Sequence, residues 1–259
     1  MKIFGLTDKG PTRAINQDYF RTEVLTPPPR IKGARKREET AFLAVVCDGM
    51  GGTKGGEVAS HLAADALIKN LIEKAKQKPS RDALGALADA LEYANGAVYN
   101  AALQNEALRG MGSTMVAALA YAGALAILSV GDSRIYLWHA GHLLLLTHDH
   151  SYVQSMVDAG RMSPLEARRS RHRNLITRAV GTRPSVEADI SYCCWEEGDK
   201  LLLCTDGIVG AVDEGEISSI LSEDIPTEHT VERLIDTAVS RGCEDNLTAL
   251  LIENTKENP

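Results

Sequence analysis

Short apolar runs separated by glycine-containing turns dominate this chain. The first two predicted strands are Ile3–Leu6 and Ala41–Cys47. Ahead of the second, segment 26–40 (TPPPRIKGARKREET) is polar, proline-rich and basic, and reads as a surface loop joining two strands. From Thr114 to Leu146 the order TMVAALAY, AG, ALAILSV, GDS, RIYLWH, AG, HLLLLT predicts a meander of hairpins. Val186–Cys193, Lys200–Thr205 and Leu247–Glu253 are further strands. Helical spacing appears over about 56–75, where Ala59, Leu62, Ala63, Ala66, Leu67 and Leu71 share a side. Lys78-Pro79-Ser80 ends that helix, and Ser80 is placed to cap a second one through about Glu106. Residues 148–175 read as helical and charged, interrupted at Gly160 and Pro164, and a last helix covers 228–240.

Strands outnumber helices and follow one another as neighbours, without strict βαβα alternation. The expected class is therefore α+β, with antiparallel sheets and helices packed outside.

Composition narrows the function. The 259 residues, 44% hydrophobic, suffice for one large core or at most two small ones. A formal net charge of −7 argues against a non-specific nucleic-acid binder. The opening MKIFGLTDKG has no long apolar stretch, so no signal peptide is expected. Gly110–Gly131 carries no charge and has the length of a membrane span, but its glycines, Ser113, Thr114 and Ser129 favour a hairpin instead. No CxxC pair occurs among Cys47, Cys193, Cys194, Cys204 and Cys243, so a reduced cytoplasmic compartment is expected.

The chemistry lies in aspartates at the edges of apolar runs. Asp48 follows AFLAVVC, Asp206 follows KLLLCT, and Asp245 precedes NLTALLIE. Carboxylates at strand ends can build an oxygen-lined site for Mg²⁺ or Mn²⁺. The segment DGMGGTKGG at 48–56 fails as a nucleotide loop, because Lys54 is followed by Gly55 and meets the last glycine position of GxGxxG. It fits better as a ligand-bearing strand-to-helix turn: Asp48 offers a carboxylate, Gly49 an unobstructed carbonyl, and glycines 51, 52, 55 and 56 a sharp entry to the helix. In GPTRAINQD, Arg13 offers a fork for phosphate and Asp18 a carboxylate able to orient water.

Taken together, GPTRAINQD (10–18), DGMGG (48–52), GST (112–114), GDSRIY (131–136), AVGT (179–182), CTDGI (204–208) and EDNLT (244–248) resemble the PP2C family of metal-dependent protein serine/threonine phosphatases, in its compact bacterial form. The resemblance spans nearly the whole chain, which is similar in size to a bare catalytic domain. It implies an α-β-β-α sandwich of two antiparallel sheets flanked by helices, one domain over 1–259 with a small helical flap at about 147–178. It implies two Mn²⁺ or Mg²⁺ ions: Asp48 bridging both, the Gly49 carbonyl on one, Asp206 and Asp245 on the other. Asp132 with Asp206 would help hold a third, weaker ion. Arg13 would bind phosphate, and Asp18 would orient the attacking water. Animal members carry His directly after Asp-Gly to protonate the leaving group; here Met50 stands there, so water is expected to do so. Phosphorylated proteins would be the substrates, a serine/threonine kinase the opponent, and a cytoplasmic monomer the form. A degenerate binding module is disfavoured because all three metal aspartates are present. A small phosphate-ester hydrolase is the alternative enzyme.

Three features have plainer readings. Helix capping and local hydrogen bonds account for His148-Asp149-His150 better than a metal does. Cys47, Cys204 and Cys243 beside the aspartates read as small buried residues rather than redox sensors. Arg168, Arg169, Arg171, His172 and Arg173 crowd the flap as a solvated face, with steering of acidic substrates as the sharper reading. The basic loop Arg30–Arg37 reads as solvated and flexible.

Overall fold

Period-two alternation of side chains is realised here as two antiparallel sheets stacked face to face. The computed structural model describes residues 1–30, 40–77, 82–121 and 123–255. One sheet runs, in spatial order, β1 (Lys2–Asp8), β11 (Leu247–Glu253), β10 (Lys200–Cys204), β7 (Arg134–His139) and β8 (His142–Leu145). The other runs β2 (Asp18–Leu25), β3 (Ala41–Met50), β5 (Met115–Tyr121), β6 (Ala124–Val130) and β9 (Asp189–Cys194), with the two-residue β4 (Gly112–Ser113) paired to the end of β3. Helices α1 (Gly52–Gln77) and α2 (Ala83–Gln104) cover the second sheet. Helices α5 (Asp206–Ala211), α6 (Glu214–Ser222) and α7 (Thr227–Ser240) cover the first. The expected four-layer α-β-β-α sandwich is what forms.

Alternation sorts each strand between two apolar layers. On β3, Leu43, Val45 and Cys47 pack under the helices, while Ala44 and Val46 face the other sheet. On β10, Leu202 and Cys204 meet α5–α7, while Leu201 and Leu203 point between the sheets. The uncharged Gly110–Gly131 run is explained by this burial: all of β5 and β6 is covered, with helices on one face and a sheet on the other. Among the described residues no helix is long and apolar enough to cross a membrane.

Four expectations are corrected. The 114–146 meander is two hairpins in different sheets, β5–β6 and β7–β8, and the chain crosses between sheets at Gly131-Asp132-Ser133. Gly131, at φ 101°, makes the crossing tight: a Cβ there would lie 2.6 Å from Thr114 Cγ2. Helix α1 already begins at Gly52, so only Gly51 and Gly52, both at positive φ, form the turn, and Gly55 and Gly56 lie inside the helix. Pro164 starts a helix rather than breaking one. The flap holds α3 (Tyr152–Asp158), capped by Ser151, and α4 (Pro164–Arg169), with Pro164 in its first turn and a Ser163–Glu166 capping box. The second long helix is capped by Asp82; Ser80 and most of the 30–37 loop lie outside the described residues. Helices α5 and α6 were not anticipated, being too short to show helical periodicity.

The layer between the sheets is lined by small side chains on β3 and β5, beside the larger Leu125 and Ile127 of β6. Ala44, Ala118 and Ala120 share it with Leu201, Leu203, Leu250 and Ile252. Enlarging one of these alanines should strain a close-packed interior. Ala118→Leu is expected to lower stability by about 1–3 kcal/mol in urea unfolding. A neutral or stabilising result would show this layer to be loosely packed.

Candidate metal centre

At one end of the sandwich the inter-sheet face changes from apolar to polar on strand after strand. Following Ala44 and Val46 on the same face of β3 comes Asp48; directly opposite it on β2 is Asp18. By the same alternation Thr248 continues Leu250 on β11, Thr205 continues Leu203 beyond β10, and Thr114 continues Val116. These hydroxyls are a mount for the acids. Thr205 and Thr248 each donate to Asp18 Oδ2 at 2.8 Å. Thr205 Oγ1 accepts from the Thr248 N–H, and Thr7 and Thr248 share a hydroxyl hydrogen bond of 2.8 Å. Thr114 Oγ1 accepts from the Asp48 N–H, and Thr114 N–H donates to the Asp48 carbonyl at 2.8 Å.

The next residue needs glycine for space. A Cβ on Gly49 would lie 1.9 Å from the Gly56 carbonyl oxygen. A Cβ on Gly56 would in turn lie 2.5 Å from the Gly49 carbonyl oxygen, so both must be glycine for that carbonyl to stay clear.

Asp206 is the first residue of α5, following the N-cap Thr205, at a helix end that favours a carboxylate. Asp245 lies in the turn before β11. Its Oδ2 accepts from Arg13 Nη2 at 2.7 Å, a pairing of the expected phosphate and metal groups that the sequence did not suggest. The loop bearing Arg13 is pinned by Asn246: its amide donates to the Lys9 and Ile15 carbonyls, and its Oδ1 accepts from Gln17 N–H.

Asp132 sits in the crossing turn, 7% exposed. The flap hangs from this turn. His150 N–H donates to the Gly131 carbonyl, Gly131 N–H donates to His150 Nδ1, and the His150 carbonyl accepts from Thr177 N–H at the flap's other end. Asp149 takes a bidentate pair from Arg134 at 2.9 and 2.8 Å, and His148 bonds Asp158. The His-Asp-His segment is thus a structural clip held by local bonds, as the plainer reading has it, although the helix cap is Ser151. Arg13, Asp132, Asp206 and Asp245 line a cleft of about 1260 Å³ that Arg168 and Arg173 of the flap also line. Asp18 and Asp48 lie side by side on neighbouring strands of the second sheet.

Crowding these acids has an electrostatic cost. Burial, then the neighbouring Asp18, Asp206 and Asp132, pushes the Asp48 carboxyl well above the usual range. Burial pushes Asp18 up to about 7 against the pull of its two threonines. Asp132 rises to about 8 through burial and Asp206, and Asp206 to about 6 through burial and Asp245. A cation is the direct relief for such a group.

Two details fit a divalent ion. Asp18 Oδ1 and Asp206 Oδ1 are buried and have no hydrogen-bond partner among the described residues. The donors are all hard oxygens. Among the described residues no three His, Cys, Asp or Glu side chains are gathered closely enough to hold a metal ion as they stand. Hard oxygen donors of this kind suit Mg²⁺ or Mn²⁺ better than zinc.

The supporting threonines and Asn246 were not singled out from sequence. The signal for Thr114, Thr205 and Thr248 was a polar residue two positions beyond an apolar inter-sheet residue. The cysteines show the same rule from the other side. Cys47 and Cys204 face the helices, away from the acids, and burial pushes the Cys204 thiol up to about 12. Cys243 Sγ is held on the Gly207 carbonyl at 3.2 Å.

The protein phosphatase 2C family model matches residues 14–251. A serine/threonine phosphatase stp of Listeria monocytogenes is 32% identical over 247 residues, covering 95% of this chain and 93% of the relative. The crystal structure of serine/threonine phosphatase Stp1 from Staphylococcus aureus superposes with a TM-score of 0.84 at 30% identity, covering 99% of this chain and 95% of that one. The catalytic domain of serine/threonine protein phosphatase PstP, in complex with two manganese ions, superposes with a TM-score of 0.81 at 31% identity, with 98% of each chain covered. Two stacked antiparallel sheets, an acidic cluster at one end of them and a family match over nearly the full length agree: this chain belongs to the protein phosphatase 2C family.

Proposed function

We propose that the protein hydrolyses phosphoserine and phosphothreonine in other proteins, using two Mn²⁺ or Mg²⁺ ions held by the acidic cluster. The observation that carries this reading is the convergence of Asp18, Asp48, Asp132, Asp206 and Asp245 at the polar end of the inter-sheet layer, with two carboxylate oxygens lacking hydrogen-bond partners among the described residues. In this reading Asp48 would help hold both ions, the Gly49 carbonyl one of them, and Asp206 and Asp245 the other. Asp132, beside Asp206, would add a weaker third position. When bound, such ions activate water near neutral pH and neutralise phosphoryl charge.

The chain's own groups do the rest. Arg13, half exposed at the cleft mouth, presents a guanidinium fork to the phosphoryl oxygens. Substrate would draw it from Asp245, freeing that carboxylate toward the cation side. Asp18, locked by Thr205 and Thr248, aims its unpaired Oδ1 to orient water rather than to attack. Cys47 and Cys204 face away from the site and are held as thiols by burial, so no covalent phosphoenzyme through them is needed. Met50 cannot donate a proton, so the leaving oxygen takes one from water. The same reading treats the chain as one catalytic domain carrying a flap at about 147–178. It acts as a cytoplasmic monomer against a serine/threonine kinase. The acidic net charge supports proteins rather than nucleic acids as substrates.

Phosphate release from a phosphothreonine peptide should require Mn²⁺, stop with EDTA, and fall by ~100-fold or more in Asp206→Ala. Turnover of small aryl phosphates with no turnover of any phosphopeptide would favour a metabolite hydrolase. A second expectation concerns stability. The raised carboxyls hold protons in the folded state that the unfolded state has already released. Stability without metal should therefore be highest at acid pH and fall as pH rises from about 4 to about 8. Thermal unfolding in EDTA should show this slope, and Mn²⁺ should flatten or reverse it. A metal-free protein that gains stability over that range would contradict the electrostatic account.

A further inference from the structure

Some cations of this acidic protein find carboxylate partners among the described residues. Arg13, Arg21, Arg134, Arg178, Arg233 and Arg241 each lie within ion-pair distance of a carboxylate. The flap arginines stand out by their clustering. Arg168, Arg169, Arg171 and Arg173 are all exposed, and none makes an ion pair among the described residues. The C-terminal end of α4 accounts for Arg168 and Arg169, where the helix dipole favours positive charge. It does not account for Arg171 and Arg173, which lie in the turn beyond.

That turn has a defined shape. His172 N–H donates to Ser170 Oγ at 3.1 Å, Arg173 N–H to the Ser170 carbonyl at 3.2 Å, and Leu175 N–H to the His172 carbonyl at 3.1 Å. It folds around a pocket of about 400 Å³ bounded by Arg169, Ser170, Arg171, Arg173 and Asn174. Every one of these side chains can donate, and no carboxylate lines the pocket. Arg173 also lines the catalytic cleft, close enough to Asp206 for its charge to favour the ionised carboxylate. One side chain therefore borders both spaces.

We propose that this pocket is a subsite for a second phosphoryl group, carried by a residue near the one being hydrolysed, so that the protein favours doubly phosphorylated segments. The proposal rests on the phosphatase reading above. Three guanidinium forks within five residues match a dianion with three acceptor oxygens better than a single carboxylate, which one fork would satisfy. The second phosphoryl group is bound and not cleaved there. The proposal gives the general expectation of steering by these arginines a location and a ligand.

The test uses the Mn²⁺-loaded protein and peptides of one sequence. One carries a single phosphothreonine; others carry a second phosphothreonine at each position on either side; a last set carries Glu instead. One or two neighbouring registers should be hydrolysed about tenfold more efficiently in kcat/KM than the singly phosphorylated peptide, with Glu giving much less. Arg169→Gln with Arg171→Gln should erase that gain and change the singly phosphorylated peptide by less than about twofold. An equal gain at every register, or a gain that survives both substitutions, would mean a diffuse field and overturn the subsite. If no phosphopeptide is hydrolysed, the phosphatase reading is what fails. Fluorescence anisotropy with a peptide bearing two non-hydrolysable phosphonates then reads the pocket directly. Loss of about tenfold in affinity in the double variant, for the doubly but not the singly modified peptide, supports it; equal loss for both overturns it.

Discussion

Asp18 and Asp48 stand directly opposite each other on adjacent strands, at a depth where charge is poorly solvated. Like charges placed so are unfavourable, and most features of this end of the molecule can be understood as consequences of holding them there. Thr205, just past β10, and Thr248 on β11 take one oxygen of Asp18 and leave the other without a partner among the described residues. Thr114 closes two hydrogen bonds on the Asp48 backbone. The arrangement is costly for a protein alone and favourable for a protein holding cations, and the proposed two-ion chemistry takes its force from that difference.

The fold supplies the acids from far apart in sequence by ending its strands at one level. Asp48 continues a strand, Asp206 opens a helix, Asp245 precedes a strand, and Asp132 occupies the only stretch between β6 and β7, where the chain changes sheet. Asn246 ties the Arg13 loop to this level, and glycines at 49 and 56 let the chain pass itself closely. His150 joins the flap's two ends to the Asp132 turn, so the wall of the cleft and one of the acids share a foundation.

Much of this was legible in the chain. Apolar runs of strand length located most strands, because alternation is local and repeats every two residues, but not β2, whose DYFRTEVL carries Asp18, Arg21 and Glu23 and offers no apolar run. Asp48, Asp206 and Asp245 stood out because each borders such a run, while Asp18 was found through the GPTRAINQD segment. What the sequence hid depends on distance. A Gly-Asp-Ser turn reads the same whether it closes a hairpin or carries the chain to another sheet, and only packing against Thr114 decides. Helices α5 and α6 are too short for periodicity to speak. Thr205 and Thr248 look like ordinary strand-end residues until they meet Asp18, 187 and 230 positions away. The Arg13–Asp245 pair likewise joins residues 232 apart. The cysteines show the converse, since nearness in sequence to an aspartate placed Cys47 and Cys204 on the opposite face.

The central claim is that this acidic cluster is a two-ion site organised on Asp48. Anomalous diffraction at the manganese edge, from crystals grown with Mn²⁺, tests it most directly. Two peaks should appear, both in contact with Asp48, one also with Asp206 and Asp245. Bound manganese with no peak in contact with Asp48 would contradict the account.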